Sequence, residues 1–248
     1  MSETVDFEQI SSGDNSLSLI LPSRNDVTHL NAIINTAFGA RNDIQVILVD
    51  SGSEENCHHY MRTLVNSFID QGLDITLVVT SSGIGNALSV GFRCSKHPAV
   101  AWFPTDGQLP LSALRELCCF TSRDGALIVV RENYEQISGV FRRALTGWNY
   151  FLISFMLDIK FRQFNGAFVM PTALVKSLPI EFRTAALNWA ILHSATKSGL
   201  TIEEVITTVK KRDVGKSRIT KAEFLRYPFE IAKYSWTLRS NSDRSSHI

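Results

Sequence analysis

Short runs of β-branched and other apolar residues alternate along the chain with longer stretches in which apolar residues recur every three or four positions. The short runs predict strands, and the longer stretches predict amphipathic helices over residues 26–38 and 54–70. The predicted strands are SLSLILP (16–22), IQVILVD (44–50), DITLVVT (74–80), the start of AVAWFPTD (99–106), ALIVVR (126–131), AFVM (167–170) and TIEEVITTV (201–209). Strands that alternate with helices indicate an α/β fold, in which helices flank a mostly parallel, Rossmann-like sheet.

Each of the first four predicted strands is followed directly by polar residues. These segments are Pro22–Asp26, Asp50–Ser53, Ser81–Asn86 and Thr105–Gln108. Right-handed crossovers place the carboxyl ends of such strands at one edge of the sheet, where loops and helix N-termini present unpaired amide groups. We therefore predict that a ligand binds at this edge.

Residues between Leu17 and Arg218 carry four motifs in a recognisable order. Pro22, Asn25 and Asp26 follow P-x-x-N-E; Val49–Ser53 follow V-D-D-G-S; Gly83, Gly85, Ala87 and Gly91 follow N-x-G-x-G-A-A-x-x-x-G; and Pro104–Gln108 follow D-x-D-G-Q. In these motifs the chain resembles the family 2 glycosyltransferases, and within them the polyprenyl-phosphate glycosyltransferases typified by dolichol-phosphate mannose synthase. Three acids depart from the pattern: Asp26 replaces glutamate, and Ser51 and Pro104 replace aspartates.

The resemblance implies a glycosyltransferase A-type fold and an inverting enzyme that takes a sugar from a nucleotide-sugar donor. The residues that it assigns to the donor are Pro22, Arg24, Asp26, Val49, Asp50, Ser51, Gly83, Asp106, Gln108, Arg212 and Arg218. Asp106 is also the predicted metal ligand, because Mg²⁺ or Mn²⁺ prefers carboxylate and phosphate oxygens. Ser51 stands at the position that reads the base, so the resemblance leaves the nucleotide open.

Arginines after the fourth strand align with phosphate-binding positions of the same family. Arg131 ends the fifth predicted strand, Arg142 or Arg143 follows in a helical stretch, and Arg212–Arg218 matches R-x-x-G-x-S-[KR]. A guanidinium group binds phosphate oxygens in a bidentate manner and stays charged at neutral pH. Together with Asp106, Arg131 and Arg142 are the predicted catalytic residues, and the late segment is predicted to close over the diphosphate.

The acceptor is predicted from acids that the chain lacks. Family members that glycosylate a hydroxyl group place a carboxylate late in the chain to remove the acceptor proton. That element aligns with Asn188, Trp189 and Ala190, none of which is acidic. A phosphate monoester needs no base, because its second pKa is about 6 and it is an oxyanion at neutral pH. We therefore predict a polyprenyl phosphate acceptor; a hydroxyl acceptor in polysaccharide assembly and a binding-only relative are the alternatives.

A remote alternative is a short-chain dehydrogenase, because DITLVVTSSGIGNALSVGF (74–92) resembles the strand and glycine-rich turn of that class. Val79 stands where the dehydrogenase fingerprint needs its first glycine, and no tyrosine is followed four residues later by lysine. These departures favour the glycosyltransferase.

Composition limits the partners and the compartment. A formal net charge of +1 provides no basic field for nucleic acid, so we predict no nucleic-acid partner. Residues 1–15 are predicted to be a loose leader, since they lack the apolar core of a signal peptide. Four cysteines without disulfide or zinc spacing suit a reducing compartment. We predict a cytoplasmic protein with a glycosyltransferase domain over 16–220 and a C-terminal helix and polar tail over 221–248.

Two aromatic stretches follow the fifth predicted strand. The first contains Trp148, Tyr150, Phe151, Phe155 and Met156, and its spacing predicts a helix in the core. The second, residues 224–236, mixes aromatic with basic residues. This mixture is compatible with packing on the domain and with peripheral contact at the inner face of a membrane.

Overall fold

The computed structural model describes residues 16–120, 125–132, 147, 151, 154–155, 166–179, 181–210 and 221–245. Its strands are β1 (Leu17–Ser23), β2 (Ile44–Asp50), β3 (Ile75–Val79), β4 (Ala99–Trp102), β5 (Gly125–Arg131), β6 (Phe168–Pro171) and β7 (Thr201–Thr207). Its helices are α1 (Leu30–Ala40), α2 (Glu55–Ile69), α3 (Ile84–Cys94), α4 (Leu111–Cys119), α5 (Thr172–Lys176), α6 (Ala186–Lys197) and α7 (Lys221–Ser245). Every predicted strand is therefore present.

The strands form one sheet in the order β3-β2-β1-β4-β6-β5-β7. Strand β1 pairs in parallel with β2 and β4, β2 with β3, and β5 with β7, whereas β6 runs antiparallel to both β4 and β5. All strands except β6 thus end at the same edge. The prediction of an α/β fold with a mostly parallel sheet is confirmed.

Apolar residues fill both faces of the sheet because successive side chains of a strand point to opposite sides. In β1, Ile20 packs into a cluster with α3, α5, α6 and α7, while Leu19 and Leu21 pack into a second cluster with α1, α2 and α4. Strand β2 is buried along its whole length. These two clusters hold the sheet rigid and fix the positions of its strand ends.

Helix α1 begins later than predicted, at Leu30 rather than at residue 26. Asn25 has a left-handed backbone with φ of 56°, and the hydroxyl of Ser23 donates a hydrogen bond to the Asp26 carbonyl at 3.0 Å. A left-handed residue cannot continue a right-handed helix, so the chain forms a loop first. This loop lies at the edge where we predict the ligand.

The prediction that the first aromatic stretch is buried is wrong for its two described members. Phe151 and Phe155 are helical, but 62% and 81% of their surfaces are exposed. Their four-residue spacing predicts a common helix face, but spacing alone does not specify what covers that face. Trp148, Tyr150 and Met156 lie outside the described residues.

Helix α7 packs against α6 at the end of the described chain. Ile231 and Tyr234 are fully buried there, so this part of the second aromatic stretch does pack on the domain. Within the described ranges, no helix combines the length and apolar character needed to cross a membrane. Residues 1–15, the predicted leader, lie outside those ranges.

Gly85 lies where α3 meets the chain before α6, and it provides a test of this packing. A methyl group on Gly85 would lie 2.5 Å from the backbone carbon of Arg183 and 2.6 Å from the amide nitrogen of Thr184. We expect Gly85→Ala to lower the free energy of unfolding by about 1–3 kcal/mol, since backbone cannot move aside as a flexible side chain can.

The matched control is Gly39→Ala in α1, where a methyl group meets no atom within 4 Å. This change should raise the free energy of unfolding by about 0.5–1 kcal/mol through helix propensity. Urea denaturation measures both. Equal effects from the two changes would contradict the close approach of α3 to residues 183–184.

Candidate active site

Hydrogen bonds hold the ends of the adjacent strands β2, β1 and β4 side by side. The Ser51 amide and hydroxyl both donate to the Ser23 carbonyl, at 2.9 and 3.1 Å. The Thr105 hydroxyl donates to the Pro22 carbonyl at 2.9 Å. The fold therefore brings three residues from distant parts of the sequence to one short segment of the sheet edge: Pro22 and Ser51, which are predicted donor residues, and Thr105 of the fourth motif.

The loop after β1 is joined to the loop after β2 by Asn25. The Asn25 backbone N–H donates a hydrogen bond to the Ser53 hydroxyl at 2.9 Å. The Asn25 side-chain oxygen accepts from the Glu54 backbone N–H at 2.7 Å, and its Nδ2 donates to the Glu54 carboxylate at 3.3 Å. These bonds explain why the chain keeps asparagine in the first motif: a residue that tolerates a left-handed backbone also connects the two loops.

Arg24 extends the connection to the end of β3. Its Nη1 donates to the hydroxyl of Ser82 at 2.7 Å. The next residue, Gly83, has φ of 131° and precedes α3. A Cβ atom at Gly83 would lie 2.9 Å from the Arg183 carbonyl oxygen. Packing therefore also constrains Gly83, which is predicted to bind the nucleotide sugar.

Asp50 is the most buried carboxylate at this edge, with 1% of its surface exposed. Its Oδ1 accepts a hydrogen bond from the Ser53 amide at 2.9 Å, and its Oδ2 lies 2.7 Å from Nδ1 of His58. Burial alone would raise the pKa of Asp50, but the hydrogen bonds from Ser53 and His58 outweigh it and hold the pKa below its ordinary value. A charged, doubly bonded Asp50 therefore organises the loop after β2.

The sequence pattern did not identify the partner of Asp50. His58 lies in the first turns of α2, eight residues after Asp50, and its Nε2 is 3.2 Å from the guanidinium of Arg62. The tight turn at Gly52 brings α2 back over the end of β2. This turn allows the imidazole of His58 to lie between the Asp50 carboxylate and the Arg62 guanidinium. Sequence spacing suggests this contact only after that turn is known.

Asp106 lies in the loop after β4. Its Oδ1 accepts a hydrogen bond from the Gln108 amide at 3.2 Å across Gly107, which has φ of 70°. Gln108 in turn bonds the segment after β7: its carbonyl accepts from the Lys210 amide at 3.0 Å, and its Nε2 donates to the Lys210 carbonyl at 3.4 Å. The ring of His29 packs against Gly107, where a methyl group would lie 2.4 Å from Nε2.

The described residues fit a metal that arrives with its substrate rather than one held by the protein alone. No group of three or more His, Cys, Asp or Glu side chains that could hold a metal ion occurs among them, and Pro104 occupies the position of the first motif acid. Mg²⁺ is commonly bound by one or two carboxylates together with substrate phosphates and water. Asp106 can supply one such carboxylate, and a diphosphate can supply the remaining charged oxygens.

The other predicted site residues differ in how far the structure places them. Val49 is fully buried, so its side chain belongs to the core. Arg131 ends β5 at the site edge, and only its backbone is described. Arg142, Arg212 and Arg218 lie outside the described residues and stay predictions.

The three residues at which the sequence comparison led us to expect a catalytic base are buried. Asn188 and Trp189 are 2% and 1% exposed, and Ala190 is fully buried. Among the described residues, Asn188 Oδ1 has no hydrogen-bond partner. A neutral amide cannot accept a proton from a hydroxyl group as a carboxylate does.

A polar cavity of about 440 Å³ lies beside the start of α3, and sequence analysis did not predict it. Its lining residues are Ser81, Ser82, Asn86, Glu181, Arg183 and Arg226. Arg183 and Arg226 come from chain segments about a hundred residues or more after Ser82, so only the fold brings them there. With Arg24 bonded to Ser82, three guanidinium groups surround this region.

A mostly parallel sheet with one reversed strand, and a polar edge that joins the β1, β2 and β4 loops, define the glycosyltransferase A-type fold. A sequence match assigns the chain to one family of this fold. Residues 18–175 match the profile described as Glycosyl transferase family 2, and the chain belongs to that family. It is accordingly a nucleotide-sugar-dependent glycosyltransferase, and the dehydrogenase alternative is excluded.

Solved structures support the same fold. Glucosyl-3-phosphoglycerate synthase from Mycobacterium tuberculosis in complex with uridine diphosphate matches with a TM-score of 0.66 and 15% identity, over 92% of this chain and 83% of that one. The same enzyme with Mn²⁺, UDP-glucose and phosphoglyceric acid matches with a TM-score of 0.64 and 16% identity, over 92% and 82%. No curated protein sequence matches the chain. At this identity the likeness concerns the fold, and it does not distinguish the polyprenyl-phosphate subgroup.

The role of Asp50 can be tested through its pH dependence. Because its native pKa lies below the unfolded value, Asp50 contributes stability at neutral pH and loses that contribution as the pH falls through the native pKa. We expect Asp50→Asn to lower the free energy of unfolding by about 1.5–3 kcal/mol at neutral pH, and we expect the difference from wild type to shrink below about pH 4.

The exposed carboxylate of Asp70, at the end of α2, supplies the control. Asp70→Asn should change the free energy of unfolding by less than about 0.5 kcal/mol. Denaturation with urea across the acid range provides the measurement. A pH-independent difference between wild type and Asp50→Asn would rule out the charged, hydrogen-bonded carboxylate as its cause.

Proposed function

We propose that this enzyme transfers a sugar, with inversion, from a nucleotide-sugar donor to a polyprenyl phosphate. The observation that carries the proposal is the lack of a carboxylate at Asn188 and Ala190, where family members that use hydroxyl acceptors have their base. A lipid phosphate is already an oxyanion at neutral pH, so its oxygen can attack the anomeric carbon without a base.

On the donor side, the proposed contacts are the predicted residues at the strand ends. The region proposed for the nucleoside is bordered by Pro22, Arg24, Asp26, Asp50 and Ser51. Asp50 contributes by fixing the loop after β2. Gly83 permits close approach of the chain at the start of α3. UDP-glucose is the first donor to test, because the structurally similar mycobacterial synthase binds it.

Asp106 is the proposed ligand of Mg²⁺ or Mn²⁺, with Gln108 holding the loop in place. The ion, when bound, would neutralise charge on the leaving diphosphate. Mycobacterial structures of the same fold contain Mn²⁺ or Mg²⁺ with uridine diphosphate, which supports this choice of cations. A single protein carboxylate implies that metal and donor bind together.

Arginines complete the proposed chemistry. Arg131 and Arg142 would bind the acceptor phosphate and orient its oxygen behind the anomeric carbon, while Arg212 and Arg218 would stabilise the departing diphosphate. Their positive charge offsets the repulsion between two anionic substrates. A polyprenyl acceptor also implies that the enzyme works at the cytoplasmic, inner face of a membrane, in peripheral contact with it.

A second candidate is transfer to a hydroxyl group. It is favoured by the fold neighbours, since glucosyl-3-phosphoglycerate synthase is solved with phosphoglyceric acid, a phosphorylated hydroxy acid. In this chain such a reaction would need another base than the residue at Asn188.

A transfer assay separates the two acceptors. We expect purified enzyme with a radiolabelled donor and Mn²⁺ to glycosylate a short-chain polyprenyl phosphate, and to leave the matching polyprenol and phosphoglyceric acid unmodified. Asp106→Ala should reduce the rate by about a hundredfold or more, because it removes the proposed charge stabilisation.

Asp70→Asn is the matched control and should keep the wild-type rate, since its carboxylate lies at the far end of α2. Transfer to a hydroxyl acceptor while polyprenyl phosphate stays unmodified would refute the proposed acceptor. Undiminished transfer by Asp106→Ala would remove Asp106 from the site.

A further inference from the structure

Helix α7 presents one face of mixed aromatic and basic side chains to the outside. Four residues spaced by three, four and three positions lie on one side of this helix: Arg226, Phe229, Lys233 and Trp236. We call this set the α7 stripe. Phe229 and Trp236 are 75% and 76% exposed, and both cations are exposed as well.

Residues beside and behind the stripe fix α7 to the domain, so the stripe cannot turn inward. The Tyr234 hydroxyl donates to the Ala190 carbonyl at 3.3 Å and lies 3.1 Å from His193 Nδ1. The Glu230 carboxylate accepts from the amides of Arg183 and Thr184, both at 3.1 Å, and from the Thr184 hydroxyl at 2.7 Å. These bonds set the rotation of the helix about its axis.

The positive charge of the stripe favours an anionic partner. Arg226 and Lys233 are positive, and the neighbouring carboxylate of Glu230 is used in hydrogen bonds to the start of α6. Tryptophan beside lysine and arginine suits the headgroup region of a bilayer, where an indole ring is half inserted and a cation meets lipid phosphate. Lysine, by contrast, is depleted in the centres of protein interfaces.

Arg226 also links the stripe to the polar cavity beside α3. It lines that cavity together with Arg183, one carboxylate, Glu181, and the polar residues Ser81, Ser82 and Asn86. The basic end of the stripe therefore continues towards the strand-end loops, and a membrane that contacts the stripe would lie next to the part of the molecule where the substrates are proposed to meet.

We propose that the α7 stripe is a docking surface for an anionic membrane, with Phe229 and Trp236 inserting among the headgroups and Lys233 and Arg226 binding lipid phosphates. This inference deepens the proposed function, since a polyprenyl phosphate is itself held in a bilayer. Its test uses vesicles without any polyprenyl phosphate, so that docking and transfer can fail separately.

The test is co-sedimentation of the full chain with vesicles of phosphatidylcholine, alone or mixed with phosphatidylglycerol. Wild type should bind the anionic vesicles, bind the neutral ones much less, and dissociate as salt is raised. Lys233→Glu should weaken binding by about fivefold or more, and Phe229→Ser with Trp236→Ser by about tenfold or more, with far-ultraviolet circular dichroism unchanged.

The matched control is Tyr60→Ser with Ile69→Ser, which removes an exposed aromatic and an exposed aliphatic side chain from α2 on the other face of the sheet. This variant should bind like wild type. Equal loss in both double variants, or wild-type binding by Phe229→Ser with Trp236→Ser, would overturn the assignment. It would also be overturned if light scattering showed a dimer that dissociates when the stripe is changed, without vesicle binding.

Discussion

The buried carboxylate of Asp50 sets the arrangement of the loops at the carboxyl edge of the sheet. It holds the turn after β2 through the Ser53 amide and holds the start of α2 through His58. Ser53 and Glu54 are then placed to bind Asn25, which fixes the loop after β1. A rigid sheet supplies the strand ends, but this carboxylate determines how the polar segments between them fold.

The fourth motif at this edge offers a cation only one carboxylate. Asp106 keeps one acid of the fourth motif, and Pro104 has replaced the other. Three arginines, Arg24, Arg183 and Arg226, surround the start of α3 instead. An edge with one carboxylate proposed for the metal and several guanidinium groups suits anionic substrates that bring much of the metal coordination with them. The proposed donor and the proposed lipid phosphate are both substrates of this kind.

Much of the fold follows from sequence because local patterns determine it. Alternating apolar runs and helical spacings are enough to predict the strands, and the right-handed crossover rule brings Pro22, Ser51 and Asp106 to one edge. What the sequence could not supply depends on the rotation and approach of whole elements. Tyr234 and Trp236 belong to one aromatic stretch, but residues two positions apart point to opposite sides of a helix. Tyr234 is therefore buried, whereas Trp236 is exposed.

Contacts across long separations escape the same kind of reasoning. His58 reaches Asp50 only because of the turn at Gly52. Arg183 and Ser82 line one cavity only because the chain before α6 lies against the start of α3. The exposure of Phe151 and Phe155 is a further case, since apolar spacing identifies a helix face and leaves its surroundings open. Motif resemblance adds a prediction that these patterns cannot make, because it selects Asp106 among many exposed or half-exposed acids.

We propose that a nucleotide sugar and a divalent cation bind together at this edge, through Asp106. Isothermal titration calorimetry of wild type and Asp106→Ala with UDP-glucose, in the presence and absence of Mn²⁺, tests it most directly. We expect wild type to bind the donor at least about tenfold more tightly with Mn²⁺ than without it, and we expect Asp106→Ala to lose this dependence on the metal. Metal-dependent binding that is the same in both proteins would contradict it.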